Sequence, residues 1–253
     1  MTNDIKVHFL GTNGWYSSQT GDTTCHLLEL PNCYIILDAG NAIYKIDEHI
    51  IENKPIYLFL SHFHMDHIFG LHILNKFHFE QTLTICCYDG GEKILNNILN
   101  HPFTMPIKQL GYKVKIKEIY EGYNKGFPFK LRAQKLVHLT KCFGYRFEYE
   151  EKIITYCTDT GPCSSIKDLA NKADLLIAEC SLKPGQAALK NWPHMSPKDA
   201  ALHAYNSQVK KLALIHFDAD NYPTLEHRKN AIIEAKKYFP DIIGAIDYDT
   251  III

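Results

Sequence analysis

The six residues from His62 to His67, His-Phe-His-Met-Asp-His, constrain this chain more than any other stretch. They follow an apolar run at 55–60 that predicts a buried strand, and they precede an apolar run at 68–74 that predicts a helix start. Neutral imidazole and carboxylate suit zinc, and to a lesser degree iron or manganese. His62 and His64 can face one ion only from an extended or turning segment, because they are one residue apart. Asp66 and His67 can then face a second ion.

The composition is that of an ordinary globular protein. The chain has 253 residues, of which 46% are hydrophobic and 22% charged, and this size fits a single α/β domain over 1–253. The net charge of −1 lacks the electrostatic footprint of a nucleic-acid binder. Only three of the 27 basic residues are arginines, so lysine must carry most contacts with anions.

Features of location and redox state favour the cytoplasm. The N-terminal residues lack the apolar core of a secretory signal, and no stretch approaches the roughly 20 apolar residues of a membrane span. None of the eight cysteines forms a C-x-x-C pair, which favours free thiols over a disulfide framework. We therefore predict a cytoplasmic protein without a membrane partner.

Strand and helix patterns alternate along the chain. Strands are predicted at 5–10, 25–30, 34–37, 55–60, 83–88, 114–120, 129–137, 145–149, 152–157, 174–178, 211–215 and, as a pair or one strand, 242–253, with helices at 41–53, 68–77, 92–100, 164–171, 197–206 and 224–238. Ser196 is predicted to cap the fifth helix, with Asp199 completing a capping box. No internal repeat or linker divides the chain, which predicts one domain.

Five residues of metal-binding or acidic type each end a hydrophobic run. They are His62, His138, Asp159, Glu179 and His216. A single histidine at a strand end is more often hydrogen-bonded than a ligand. In α/β sheets, however, sites form beyond the carboxyl ends of strands, so five such residues together predict a shared site.

These residues supply enough ligands for two ions. The predicted sets are His62, His64 and His138 for the first ion and Asp66, His67 and His216 for the second. Asp159 is the predicted bridge, because a carboxylate can give one oxygen to each ion. Two zinc ions about 3.5–4 Å apart can lower the pKa of a shared water to near 7, which predicts hydrolysis by metal-bound hydroxide.

The ligand series, in this order, resembles that of the metallo-β-lactamase fold superfamily. The segments at 9–14, 36–40 and 244–249 are also similar to that family, so the resemblance covers essentially the whole chain. It implies a four-layer αββα sandwich of the α/β class. The six-residue motif is specific for fold and metal, but it says little about the substrate.

Two later stretches resemble the ribonuclease Z and phosphodiesterase branch of that family. They are 177–182, Ile-Ala-Glu-Cys-Ser-Leu, and 194–201, His-Met-Ser-Pro-Lys-Asp-Ala-Ala, followed by the run that ends at His216. The resemblance implies that Glu179 orients His194, and that His194 protonates the leaving oxygen or binds the phosphate. Asp66, Glu179 and His194 are therefore the candidate catalytic residues.

The chain also departs from ribonuclease Z. It has no long Gly/Pro-rich arm for gripping tRNA, and 218–222 lacks the expected arginine. It looks more like short relatives that hydrolyse small or cyclic phosphodiesters, such as the phosphoribosyl cyclic phosphodiesterase of phosphonate metabolism. A basic stretch at 113–135, with a balance of +5, more often marks a solvated face than an RNA site. Trp15, Tyr16 and the 101–107 loop could wall the pocket and stack a base or ring, or they could serve ordinary loop packing.

The leading hypothesis is a dinuclear zinc hydrolase that acts on a small or cyclic phosphodiester, with manganese or iron as alternative metals. RNA is a less favoured partner, which would make the chain a ribonuclease Z-like nuclease of RNA 3′ ends. A lactone, ester or thioester hydrolase could use the same metal centre without His194. A non-enzymatic metal-binding protein is the least favoured hypothesis, and a homodimer is compatible with the sequence.

Overall fold

The computed structural model describes residues 4–253. Strands and helices alternate along them, as the sequence predicts. The strands are β1 Lys6–Gly11, β2 Asn13–Gly14, β3 Cys25–Glu29, β4 Tyr34–Leu37, β5 Ile56–Phe59, β6 Leu83–Tyr88, β7 Val114–Ile119, β8 Gly122–Asn124, β9 Lys130–Lys135, β10 Phe143–Tyr149, β11 Lys152–Cys157, β12 Leu175–Glu179, β13 Lys211–Ile215, β14 Phe217–Asp218, β15 Ile242–Gly244 and β16 Asp249–Ile252.

The helices lie close to the predicted positions. The α-helices are α1 Met65–Ile68, α2 Gly91–Ile98, α3 Ser164–Ala170, α4 Pro197–Asn206 and α5 Leu225–Lys236, and the 3-10 helices are Asn41–Glu48, Phe69–Lys76 and Ile107–Gln109. Ser196 caps α4 and forms the predicted capping box with Asp199. The helix predicted at 68–77 is instead a short α-turn that starts inside the histidine motif and continues as a 3-10 helix.

The strands form two seven-stranded sheets and one two-stranded ribbon. The first sheet has the order β16-β1-β3-β4-β5-β6-β7, the second has the order β15-β13-β12-β11-β10-β9-β8, and β14 pairs with β2. The prediction of a final strand pair at 242–253 is wrong. The two strands belong to different sheets, because β15 pairs with β13 whereas β16 pairs with β1.

The apolar residues form three layers of core, which makes the fold an αββα sandwich. In β12, Leu175 and Ile177 face the layer between the sheets, whereas Leu176 and Ala178 face the layer under α3, α4 and α5. β4 alternates in the same way, with Ile36 facing the helices that cover the first sheet. Strands buried on both faces explain the continuous hydrophobic runs in the sequence. The predicted α/β four-layer fold is confirmed.

The topology directs the carboxyl ends of several strands to one edge. In the second sheet β11, β12 and β13 are parallel, and β9 runs in the same direction as β11 because β10 is antiparallel to both. In the first sheet β4 and β5 are parallel. Chain segments that leave these ends therefore meet at the cleft between the sheets. None of the helices in residues 4–253 combines the length and the apolar character needed to cross a bilayer.

Candidate metal centre

The five predicted strand-end residues lie together at this edge. Glu179 is the last residue of β12, and His62, His138, Asp159 and His216 follow β5, β9, β11 and β13 within a few residues. Asp159 and His216 have φ angles of 46° and 49°, in the left-handed region that non-glycine residues seldom adopt. Such backbone strain is typical of functional sites.

The histidine motif combines an extended segment with a helical turn. His64 is extended (φ −65°, ψ 148°) and precedes α1, whose first turn carries Asp66 and His67. His62 and His64 thus leave the backbone before the helix begins, as their spacing required. The change of backbone conformation separates the motif into two halves that face different neighbours.

The first ligand group consists of His62, His64 and His138. One donor atom from each of them and one from Asp159 lie within 4.8 Å of one another. Nε2 of His138 is 3.2 Å from Nδ1 of His64, and Nε2 of His62 is 3.7 Å from Oδ2 of Asp159. Three imidazoles and one carboxylate are a set of donors that suits tetrahedral zinc.

The second ligand group consists of Asp66, His67 and His216, whose donor atoms also converge within 4.8 Å. Nε2 of His67 and Nε2 of His216 are 3.1 Å apart, and Oδ2 of Asp66 lies 3.5 Å and 3.3 Å from them. Oδ1 of Asp159 is 3.1 Å from His67 Nε2 and 3.0 Å from His216 Nε2. One oxygen of Asp159 therefore faces each group.

The arrangement fits divalent cations. Nε2 of His62 is fully buried and has no hydrogen-bond partner among residues 4–253, yet it is directed at the other donors of its group. Burial, together with the neighbouring His67, keeps the pKa of His62 well below its usual value, so the imidazole is neutral and free to ligate. A buried polar atom without a partner is costly, and a bound cation would satisfy it.

Negatively charged carboxylates around the second group attract cations. Burial alone would lower the pKa of His216, but Asp159 and Asp66 raise it to about 10. Burial would raise the pKa of Asp66, yet His67 and His216 hold it far below its usual range. In the absence of a metal, the carboxylates of Asp66 and Asp159 thus keep the imidazoles protonated. A divalent cation would replace these protons.

Asp38 is a site residue that the sequence reasoning missed. It follows β4, is fully buried, and accepts a hydrogen bond of 2.7 Å from Nδ1 of His67. The backbone N–H and the hydroxyl of Ser61 also donate to the Asp38 carboxylate, at 2.6 and 2.8 Å. The phenol of Tyr156 donates to it at 2.6 Å. Such a carboxylate fixes the orientation of a ligating imidazole. Its position at the end of an apolar strand was a usable signal.

Glu179 and His194 form the pair that the resemblance implied. Nδ1 of His194 donates to Oε1 of Glu179 at 2.9 Å, and both side chains are buried. Backbone N–H groups of Ser181 and Met195 donate to the other oxygen of Glu179 at 3.3 Å. Burial lowers the pKa of His194, but the Glu179 carboxylate more than offsets this and the net shift is upward. The carboxylate of Glu179 therefore favours the protonated form of His194.

A cavity of about 300 Å³ opens over both ligand groups. Its lining consists of Trp15, His64, Asp66, His138, Leu139, Asp159, Ser181, Trp192, His194, His216 and Asp218. Trp15 lies in this wall, which is one of the two alternatives that the sequence left open for it. Tyr16 and the 101–107 loop are not part of it, since Tyr16 instead donates a hydrogen bond to Asp220 at 2.5 Å. No lysine or arginine of residues 4–253 is in the lining, so the basic stretch at 113–135 lies elsewhere.

Comparisons with known proteins identify the family to which this chain belongs. The model of the beta-lactamase superfamily domain matches residues 35–217, which is more than half of the chain. A ribonuclease Z of Bacillus licheniformis is 27% identical in an alignment over 305 residues, which covers 96% of this chain and 97% of that protein. Similar relatives that carry the same name occur in Ligilactobacillus salivarius and Archaeoglobus fulgidus, at 25% and 24% identity.

Solved structures show the same fold. The metallo-beta-lactamase fold protein YhfI from Bacillus subtilis has a TM-score of 0.78 at 21% identity and covers 99% of this chain and 100% of that one. The short form of human tRNase Z has a TM-score of 0.75 at 22% identity (97% and 98% covered), and a diphosphatase from the PhnP family has 0.75 at 16% (99% and 97% covered). This chain belongs to the metallo-β-lactamase fold superfamily, in its ribonuclease Z-like branch of metal-dependent hydrolases.

Proposed function

We propose that this chain is a dinuclear zinc phosphodiesterase that hydrolyses a small or cyclic phosphodiester. The observation that carries the proposal is the Glu179–His194 pair, which lies against the same cavity as both ligand groups. An alkoxide that leaves from phosphorus needs a proton, which an acid at the cavity can supply, whereas a thiolate leaves from a thioester without one. The names of the ribonuclease Z relatives support the same class of substrate.

Each ligand group would hold one zinc ion, and Asp159 would contact both. The separate directions of its two oxygens support this bridging role. When bound, the ions supply Lewis acidity, which lowers the pKa of water and neutralises negative charge that develops on phosphate oxygens. Manganese or iron could take the same donors.

His194 would act as the general acid. Its Nδ1 is occupied by Glu179, so Nε2 is the nitrogen left for the substrate. Hydrolysis adds water to phosphorus and breaks one P–O ester bond, and the departing oxygen takes the proton from His194. Glu179 keeps His194 protonated and holds its ring in one orientation. Asp66 would act as a ligand that holds the second ion beside the reacting phosphate.

The size and charge of the cavity support a small substrate. About 300 Å³ is at the lower end of the range for small-molecule pockets. Proteins that bind nucleic acid track its phosphates with lysine and arginine, and the described lining offers neither. The alignment with the Bacillus licheniformis relative is also longer than this 253-residue chain, so that relative carries residues without a counterpart here.

A ribonuclease Z-like nuclease is the second candidate, and the names of the relatives favour it. It would cleave an RNA with a 3′ extension, whereas the leading proposal predicts preference for a small phosphodiester. Comparing kcat/KM for a tRNA precursor with that for a cyclic phosphodiester separates the two. A much higher kcat/KM for the tRNA precursor would show that the substrate is RNA rather than a small phosphodiester. The proposed metal chemistry would not change.

The test uses purified, zinc-loaded protein. Metal analysis is expected to find two zinc ions per chain, and bis-p-nitrophenyl phosphate is expected to be hydrolysed faster than a lactone or a thioester. His194→Ala should keep both ions and lose about 10²–10⁴-fold in rate on a phosphodiester with an alkoxide leaving group, which needs the proton of the acid. His78→Ala removes an exposed histidine outside the cavity and is the matched control. Turnover of the lactone or thioester alone, or full activity in His194→Ala, would contradict the proposal.

A further inference from the structure

We propose that the substrate carries a nucleobase, which binds against Trp15 and Trp192 while its single phosphate reaches the ligand groups. This inference rests on the proposed phosphodiesterase function and narrows its substrate class. The chain has only two tryptophans, and both lie in the wall of the cavity above the ligand groups. Aromatic side chains that line a phosphate-binding pocket are suited to stacking on a base.

Each tryptophan is next to a different part of the site. The backbone N–H of Trp15 donates to Oδ2 of Asp66 at 2.9 Å, which fixes this residue beside the second ligand group. The ring of Trp192 is 5.2 Å from the ring of His194, the proposed acid, in an edge-to-face arrangement. A ligand in contact with both indoles therefore also lies beside the groups that would act on its phosphate.

The apolar surface of this wall is exposed to solvent. Trp15 is 62% exposed and Leu139, another lining residue, is 60% exposed. Exposed apolar surface grouped at a cavity indicates a binding function, since it gains stability only when a partner covers it. The planar faces of the indoles match a flat aromatic ring better than a flexible aliphatic chain.

The segment that carries Trp15 is held rigidly. Trp15 has a φ angle of 70°, a strained conformation for a bulky side chain, and it is followed by Tyr16, whose hydroxyl donates to Asp220 at 2.5 Å. The amide of Asn13 donates to the carbonyl of Tyr16 at 3.1 Å, and the buried guanidinium of Arg228 donates to Asn13 and Thr20. A wall fixed before binding loses little entropy when a base stacks on it.

The charges in the wall limit the substrate to one phosphate. The described lining has no lysine or arginine, and it contains the carboxylate of Asp218. Oδ1 of Asp218 accepts backbone N–H groups of Asp220 and Asn221 at 3.0 and 2.8 Å, whereas Oδ2 accepts no hydrogen bond from residues 4–253. Oδ2 can accept a ribose hydroxyl, and it repels a further phosphate. A nucleoside cyclic phosphate satisfies these requirements, and a nucleotide with a terminal polyphosphate does not.

The first experiment compares two substrates of the zinc-loaded protein that differ in the base. They are adenosine 2′,3′-cyclic phosphate and glycerol 1,2-cyclic phosphate, which has the same five-membered phosphodiester ring. We expect kcat/KM to be about 5- to 150-fold higher for the nucleotide, the factor that stacking of one base contributes. Trp15→Ala and Trp192→Ala should each reduce this ratio, whereas Trp→Phe at either position should retain most of it.

Phe103→Ala is the matched control, because Phe103 is a 70% exposed aromatic residue outside the cavity. It should leave the ratio unchanged. Trp15→Ala retains the backbone N–H that contacts Asp66, so metal content should be unaffected by that variant. A metal measurement on each variant separates loss of base stacking from loss of the ions.

The second experiment measures binding without turnover. All tryptophan fluorescence comes from the cavity wall, so a slowly hydrolysed phosphorothioate analogue of adenosine 2′,3′-cyclic phosphate should quench it saturably. Each single Trp→Ala variant should bind the analogue about 5- to 150-fold more weakly. Equal turnover of both substrates, or no change in affinity in either variant, would overturn the nucleobase inference and leave the phosphodiesterase function standing. If bis-p-nitrophenyl phosphate and both cyclic phosphates are inert, the proposed function itself fails.

Discussion

The two ligand groups differ in residue type and in their electrostatic surroundings. The first group, His62, His64 and His138, contains only imidazoles, and burial lowers the pKa of His138 to about 4. The second group contains Asp66, and nearby carboxylates raise the pKa of His216 to about 10. The difference arises because Asp66 and Oδ1 of Asp159 both lie beside the second group, while only Oδ2 of Asp159 approaches the first.

The groups also differ in what supports their imidazoles. Nδ1 of His67 donates to the Asp38 carboxylate, and Nδ1 of His216 donates to the Ser181 hydroxyl at 3.0 Å. Nδ1 of His138 is buried and has no partner among the described residues. A carboxylate behind an imidazole raises its basicity and fixes its ring. The second group is therefore the more strongly oriented of the two, whereas the first contains two neutral imidazoles, His62 and His138, that are ready to ligate.

The largest effect is expected where the two groups meet. Asp159→Ala should release both ions and reduce turnover by on the order of 10⁴-fold or more, because each group loses a ligand oxygen and the ions lose their shared carboxylate. Metal analysis and turnover of bis-p-nitrophenyl phosphate measure the two losses. Asp159→Asn keeps the shape of the side chain and separates loss of charge from misfolding. Retention of both ions in both variants would show that the groups do not depend on this residue.

A smaller effect, confined mainly to one group, is expected from Asp38. Asp38→Asn should weaken zinc at the second group by about 10- to 100-fold, since it removes the carboxylate that orients His67. The first group should change less, because it reaches Asp38 only through Ser61, whose hydroxyl accepts from Nδ1 of His62 at 3.0 Å and donates to Asp38. Tyr156→Phe removes one donor to Asp38 and is the matched control. Competition with a chromophoric chelator measures the zinc affinity of each group. An equal loss of affinity at both groups would show that Asp38 does not support the second group in particular.

Proton release should distinguish the groups in the unmodified protein. At pH 7 the imidazole of His216 is protonated in the metal-free state, so the ion of the second group must displace about one or two protons. His62 and His138 are already neutral, so neither of them releases a proton when the first group binds its ion. Affinity at the second group should rise roughly tenfold per pH unit for each displaced proton, and affinity at the first group should rise less steeply because His62 and His138 are neutral. Calorimetry in buffers of different ionisation enthalpy counts these protons, and equal counts for both ions would contradict the assignment.

The smallest effect is expected from Ser181→Ala. The hydroxyl of Ser181 supports His216 as a neutral partner, and one such hydrogen bond contributes about 0.5–1.5 kcal/mol. Zinc at the second group should therefore weaken by only about 2- to 10-fold. Competition with a chromophoric chelator measures the zinc affinity of this variant and of Asp38→Asn, and so compares the contributions of the two hydrogen-bond partners. An effect of Ser181→Ala as large as that of Asp38→Asn would mean that charge is not what distinguishes them.

Much of the fold followed from local pattern, and the misses have physical causes. The alternation of buried strands and helices was visible because each strand packs on both faces. The separation of β15 from β16 was not visible, since Ile242–Gly244 and Asp249–Ile252 have similar composition and only their partners β13 and β1 distinguish them. Asp38 has the same strand-end position as Asp159, but a carboxylate that supports a ligand looks no different in sequence from one that binds.

The sequence by itself determined which residues can bind metal, because the motif at His62–His67 contains four donors in six positions and the other candidates each end an apolar run. The order of the ligand series also predicted their division into two sets, but only the tertiary structure brings the donor atoms of each set together, since His138, Asp159 and His216 come from distant strands. The tertiary structure also brought Trp192 to the same cavity as Trp15, although 177 positions separate them. Long-range packing determines such proximity, and no local pattern encodes it.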